Sequence, residues 1–159
     1  MTTIKGLLFS SQGRAWPSAR FSASGQNEPQ KAPRALRIIV VDDDRDMVLS
    51  LMMLLREEGH DVRGLHASKQ VLRAVNEFNP DAVLLDIAMP ELSGWEVARA
   101  IRTRLARRPM LIGISGEYRQ SVDKILSEVV GFDHYLVKPY DPNALLALLE
   151  PLRQPRHDQ

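Results

Sequence analysis

The residues best equipped for chemistry in this 159-residue chain sit just past apolar runs. Asp42, Asp43 and Asp44 follow RIIVV (37–41), and Asp86 closes DAVLLD (81–86). Ser115 closes PMLIGIS (109–115), and Lys138 follows HYLV (134–137). Carboxylates crowded together repel and hold protons more tightly unless a cation lies among them. A hard divalent ion such as Mg2+ takes one or two carboxylates together with water and phosphate oxygens. Carboxylates, Mg2+ and a lysine make a set suited to phosphoryl transfer, where catalysis is mostly positioning and charge neutralisation. One carboxylate can itself be the nucleophile and form an aspartyl-phosphate. Singly, each residue has a plainer role: Asp44 as a helix cap, Asp86 as a solvated strand-end acid, Ser115 as a turn former, Lys138 as a surface lysine. Their coincidence at four strand ends is what those plainer roles do not supply.

That coincidence depends on the elements that carry them. LRIIVV (36–41), DAVLLD and PMLIGIS are near-continuous apolar runs of strand length, DVRGLH (61–66) is a more polar strand suited to a sheet edge, and HYLV is a fifth. Between them, Met47, Val48, Leu51, Leu54 and Leu55 repeat at helical spacing up to Gly59. Val71, Leu72, Val75 and Phe78 mark a second helix ended by Asn79-Pro80. Ser93-Gly94 opens a third, with Val97, Ala98, Ile101 and Leu105 inward. Val122, Ile125, Leu126, Val129 and Val130 predict a fourth helix stopped by Gly131, and Leu145, Leu148, Leu149 and Leu152 a fifth. Five strands alternating with five helices predict an α/β, doubly wound parallel sheet with both faces covered. Ligands of such sheets bind beyond the carboxyl ends of the strands, where Asp42, Asp43, Asp86, Ser115 and Lys138 meet.

VVDDD, LLDIAMPELSGWE, GISG and HYLVKPY, in this order and spacing, resemble the receiver domain of two-component response regulators, of the stand-alone type, over residues 36–152. The resemblance implies a flavodoxin-like (βα)5 fold with strand order 2-1-3-4-5. It implies that Asp86 accepts a phosphoryl group from the phosphohistidine of a histidine kinase or histidine phosphotransfer protein. Asp43, Asp86 and the backbone carbonyl of Ala88 would ligate Mg2+, with Asp42 acting through a bound water. Lys138 would pair with the acceptor carboxylate and then the phosphate. Ser115 would hydrogen-bond a phosphate oxygen, and Tyr135 matches the aromatic switch position. Lys138–Pro139 would be a cis peptide. The switching surface would be the fourth helix, and the face from the fourth to the fifth helix offers a dimer contact. Ala88 stands where many relatives carry a polar side chain, which leaves the lifetime of the phosphorylated state open; Gly116 replaces a common alanine.

The bulk numbers bound the rest. With no cysteine there is no disulfide or thiolate metal site, and no apolar run reaches the roughly 18–20 residues of a membrane span. The expected location is cytoplasmic. A net charge of +1 hides a basic leader (Lys5, Arg14, Arg20, Lys31 and Arg34 against Glu28) on an acidic remainder. Residues 1–35 are expected to be a disordered leader, though their composition also suits an organellar transit peptide; 153–159 form a short tail. Arg99, Arg102, Arg104, Arg107 and Arg108 are expected to form a solvated face rather than a nucleic-acid site. The expected partners are a kinase or phosphotransfer protein and a downstream protein target, without nucleic acid or membrane. Trp95, beside the rim, is open to partner contact or to packing on the neighbouring loop. Two rival readings stand: a haloacid-dehalogenase-like phosphatase using Asp42-x-Asp44, and a receiver-fold scaffold that is never phosphorylated.

Overall fold

The computed structural model describes residues 33–116 and 131–154. Its elements run β1 (Arg37–Val41), α1 (Arg45–Glu57), β2 (Asp61–Leu65), a 3-10 turn (Ser68–Gln70), α2 (Val71–Phe78), β3 (Ala82–Asp86), α3 (Gly94–Arg104), β4 (Met110–Ser115), β5 (His134–Val137) and α4 (Pro142–Arg153). Here α4 is the fifth helix of the sequence pattern. The predicted helix over 122–130 and residues 1–32 of the predicted leader lie outside the described residues, whereas Arg34 of that leader pairs with Asp81.

The strands form one parallel sheet in the order β2-β1-β3-β4-β5, as expected. Because side chains alternate along a strand, each buried strand feeds both faces. Ile38 and Val40 of β1 join Val48, Leu51 and Leu55 of α1 and Leu145 and Leu149 of α4 on one side. Ile39 and Val41 join Val71, Val75 and Phe78 of α2 and Val97, Ala98 and Ile101 of α3 on the other. The polar strand β2 lies at the edge, pairing only with β1 among the described strands. Gly64 in β2 has a packing reason: a Cβ there would lie 2.5 Å from both Met52 Sδ and Val48 Cγ1 of α1.

Three strands, β1, β3 and β4, start one residue later than the apolar runs suggest. The Leu36 N–H donates to His60 Nδ1 rather than to a ladder (3.2 Å), and Pro109 has no N–H to offer. Helix ends follow their punctuation: Gly59 stops α1 at φ +84°, Asn79 caps α2 in the left-handed region, and Ser93 with Glu96 forms a reciprocal capping box on α3.

Candidate phosphoacceptor site

Register brings the site together. Val41 stands opposite Leu85, Asp86 opposite Ile114, and Ser115 opposite Val137. One step past these pairs the chain reaches Asp42 beside Asp86, and Lys138 beside the end of β4. The Lys138 N–H donates to the Ser115 carbonyl at 2.7 Å, and the Lys138–Pro139 peptide is cis.

The three consecutive aspartates have three separate tasks. Asp42 is buried (4% exposed), and its Oδ1 accepts the Asp44 N–H at 2.9 Å, which fixes the carboxylate. Asp44 is turned away from the rim and caps α1, accepting from the N–H groups of Asp46 and Met47. Asp43 is left exposed at the rim. The second acid of the Asp-x-Asp pattern is thus spent on a helix end, which removes a residue the phosphatase reading requires.

Asp86 is buried at the end of β3. Directly after it the Ile87 N–H donates to the Ile114 carbonyl, and the Gly94 N–H to the Ile87 carbonyl. A Cβ on Gly94 would collide with the Asp86 carbonyl and come within 2.9 Å of Ile87 Cα, so this approach of α3 to the end of β3 needs glycine. Lys138 Nζ donates to Asp42 Oδ2 at 2.8 Å and to Asp86 Oδ1 at 3.2 Å. Its shorter contact is with Asp42, not with Asp86.

Among the described residues, the one ammonium at this rim does not balance its carboxylates. Burial, and then the Asp42 charge, push the Asp86 carboxyl above its ordinary value against the pull of Lys138. Burial works to lower Lys138, but its hydrogen bond to Asp42 and the Asp86 charge outweigh that and leave it raised. One carboxylate oxygen each from Asp42, Asp43 and Asp86 lies within 4.8 Å of the others. That approaches the roughly 4 Å span of oxygens around an ion held at about 2.1 Å. An all-oxygen, charge-deficient cluster fits a hard divalent cation.

The other predicted residues lie around this cluster. Ser115 is buried at the end of β4. Ala88 is exposed on the loop between β3 and α3. Tyr135 lies on β5, opposite Gly113, and its ring stacks on Trp95 with centroids 6.4 Å apart.

A family model for the response regulator receiver domain matches residues 38–150. The chain belongs to the response regulator receiver family. Its relatives include the DNA-binding response regulator MtrA of Mycolicibacterium paratuberculosis, 38% identical over 111 residues covering 70% of this chain and 48% of MtrA. Another is the transcriptional regulatory protein PrrA of Mycobacterium bovis, 38% identical over 121 residues covering 76% of this chain and 51% of PrrA. The chain spans about half the length of these curated relatives. A response regulator receiver domain from Bermanella marisrubri has a TM-score of 0.67 at 30% identity, covering 75% of this chain and 98% of its own. The BeF3-activated N-terminal receiver domain of Klebsiella pneumoniae RstA has a TM-score of 0.66 at 26% identity, covering 74% and 97%. The expectation that nucleic acid is no partner finds no support in this family, whose MtrA members are named as DNA-binding. Among the described residues, no helix is long and apolar enough to cross a membrane.

Sequence patterns missed a second set of polar residues at the opposite ends of the same strands. Asp81 accepts the Arg37 N–H at 2.9 Å and pairs with Arg34 at 2.7 Å. Asp133 accepts the Leu111 N–H at 2.7 Å and pairs with Arg102 at 2.6 Å. Burial first, and then Arg153, hold His60 below its ordinary value, so Nδ1 can accept from Leu36. The available signal was an aspartate just before β3 and another just before β5.

Proposed function

We propose that this receiver takes a phosphoryl group onto Asp86 from the phosphohistidine of a histidine kinase or histidine phosphotransfer protein. The observation that carries the reading is the charge deficit at the rim, where, among the described residues, Asp86 lies beside Asp42, Asp43 and a single ammonium. An Asp86 carboxylate oxygen attacks phosphorus as the P–N bond to the partner's imidazole breaks. The bonding pair stays on the imidazole nitrogen, and an acyl phosphate remains on Asp86. Asp43, Asp86 and the Ala88 carbonyl would hold Mg2+, with Asp42 bound through water. When bound, Mg2+ neutralises charge on the transferring oxygens.

Lys138 stabilises the same charge from the other side. Held by Asp42, it is in place before transfer and needs little rearrangement to donate to a phosphate oxygen. Ser115 donates its hydroxyl to another oxygen, and Tyr135 follows Ser115. The added charge of about −1.5 to −2 thereby becomes a change of surface. The chain acts as a signalling domain in the cytoplasm, and a protein target reads that surface.

Intact-mass spectrometry after incubation with acetyl phosphate tests this on wild type and Asp86→Asn, with and without Mg2+. A Mg2+-dependent single adduct absent from Asp86→Asn is the expected result. A folded wild type that takes no adduct and binds no beryllofluoride would leave only the scaffold reading.

A further inference from the structure

Gly113 interrupts the apolar run of β4 at the position opposite Tyr135. A Cβ there would meet Ile87 Cδ1 at 3.1 Å and the Phe132 ring at 3.2 Å, so the missing side chain is what admits Phe132. The Trp95 ring meets Phe132 edge-on at 5.3 Å, with an interplanar angle of 84°. The same ring lies nearly parallel to Tyr135, at 18° and 6.4 Å. Trp95 is therefore the middle member of an aromatic row from Phe132 to Tyr135.

Two of the three rings stand on anchored backbone. Residues flanking Phe132 are pinned by Arg102, which donates from Nε to the Gly131 carbonyl, from Nη1 to the Pro109 carbonyl and from Nη2 to Asp133. Trp95 follows Gly94, wedged against the Asp86 carbonyl, and lies within the Ser93–Glu96 capping box. Trp95 and Arg102 are seven residues apart, two turns along one side of α3. The third helix thus grips residues 131–135 at both of its ends.

We propose that Trp95 is a positioning residue that sets the orientation of the Tyr135 ring and ties it to the acceptor strand through Gly94, a route parallel to Ser115. It rests on the phosphoacceptor reading above. A turn of Tyr135 must make or break the Trp95 stack, so the stack contributes to the free-energy difference between the two orientations.

The test uses the full chain. In Trp16→Phe, which leaves Trp95 as the sole tryptophan, adding beryllofluoride with Mg2+ changes the indole emission, and Tyr135→Ala abolishes that change. Beryllofluoride affinity by 19F NMR shifts about two- to tenfold in Trp95→Leu, the range set by one aromatic pair, and Trp95→Phe restores part of it. The sign of the shift tells which orientation carries the stack. A folded Trp95→Leu with wild-type affinity, or an indole response that survives Tyr135→Ala, overturns the inference. If Trp95→Leu does not fold, Trp95→Phe and the emission experiment still decide it. No beryllofluoride binding by wild type overturns the phosphoacceptor reading itself, a separate outcome.

Discussion

The two rims of the sheet carry similar residues in opposite states of balance. At the amino-terminal rim Asp81 and Asp133 each have one arginine and one backbone N–H. At the carboxyl-terminal rim, among the described residues, Asp42 and Asp86 share one lysine, with Asp43 beside them. A carboxylate that completes a fold is neutralised where it sits, since an unmet buried charge costs stability. A carboxylate kept for chemistry is left short of positive charge, and a ligand makes up the difference. On the proposed function, local charge balance therefore separates structural acids from functional ones better than burial, which Asp81 and Asp86 share.

The sharpest way to break this contrast is to remove the lysine. In Mg2+-free buffer Lys138→Met is expected to lose about 3 kcal/mol in urea unfolding, because two buried carboxylates lose their shared partner. Saturating Mg2+ should restore much of it. Mg2+ at a hundredfold excess over Kd should stabilise wild type by about 2.7 kcal/mol, read as a rise in Tm that Asp43→Asn with Asp86→Asn removes. At the other rim Asp81→Ala should cost about 2 kcal/mol through the stranded Arg37 N–H and Arg34. It should leave the Mg2+ increment unchanged, as distant sites add independently.

The smallest effects are pH limbs of opposite sign. Folding raises the Asp86 pKa, so between its ordinary 3.8 and its folded value the native state holds more protons. Mg2+-free stability then falls as pH rises through that window. Folding lowers the His60 pKa, so the unfolded chain holds more protons below the ordinary 6.5, and stability falls as pH drops through that value. Asp86→Asn should flatten the first limb and His60→Gln the second. A titration in which each variant alters the other's limb would undo the separation of the rims.

What sequence could show follows from what is local. The strands were legible because β1, β3 and β4 are buried on both faces and so read as unbroken apolar runs. The acidic rim was legible because strand ends in a parallel sheet share one side, whatever the register. Asp44 was legible as a cap because capping needs only the next few residues. Asp81 and Asp133 were not, because their partners are strand starts that only register identifies. The Trp95 row was hidden for a related reason: it depends on how α3 lies over β5, and on Gly113, whose absent side chain carries no sequence signal of its own.

One minor contact has a wider consequence. The Arg34 N–H donates to the Arg153 carbonyl and its Nε to the Leu152 carbonyl, so the chain enters and leaves this fold side by side. A short linker from Gln154 to Pro33 should suffice for circular permutation, with new ends opened at Gly59. The domain should likewise tolerate splicing into a surface loop of a host protein. In both formats the two junctions fall at the end of the sheet away from Asp86, so the proposed phosphoacceptor site should be portable into unrelated scaffolds.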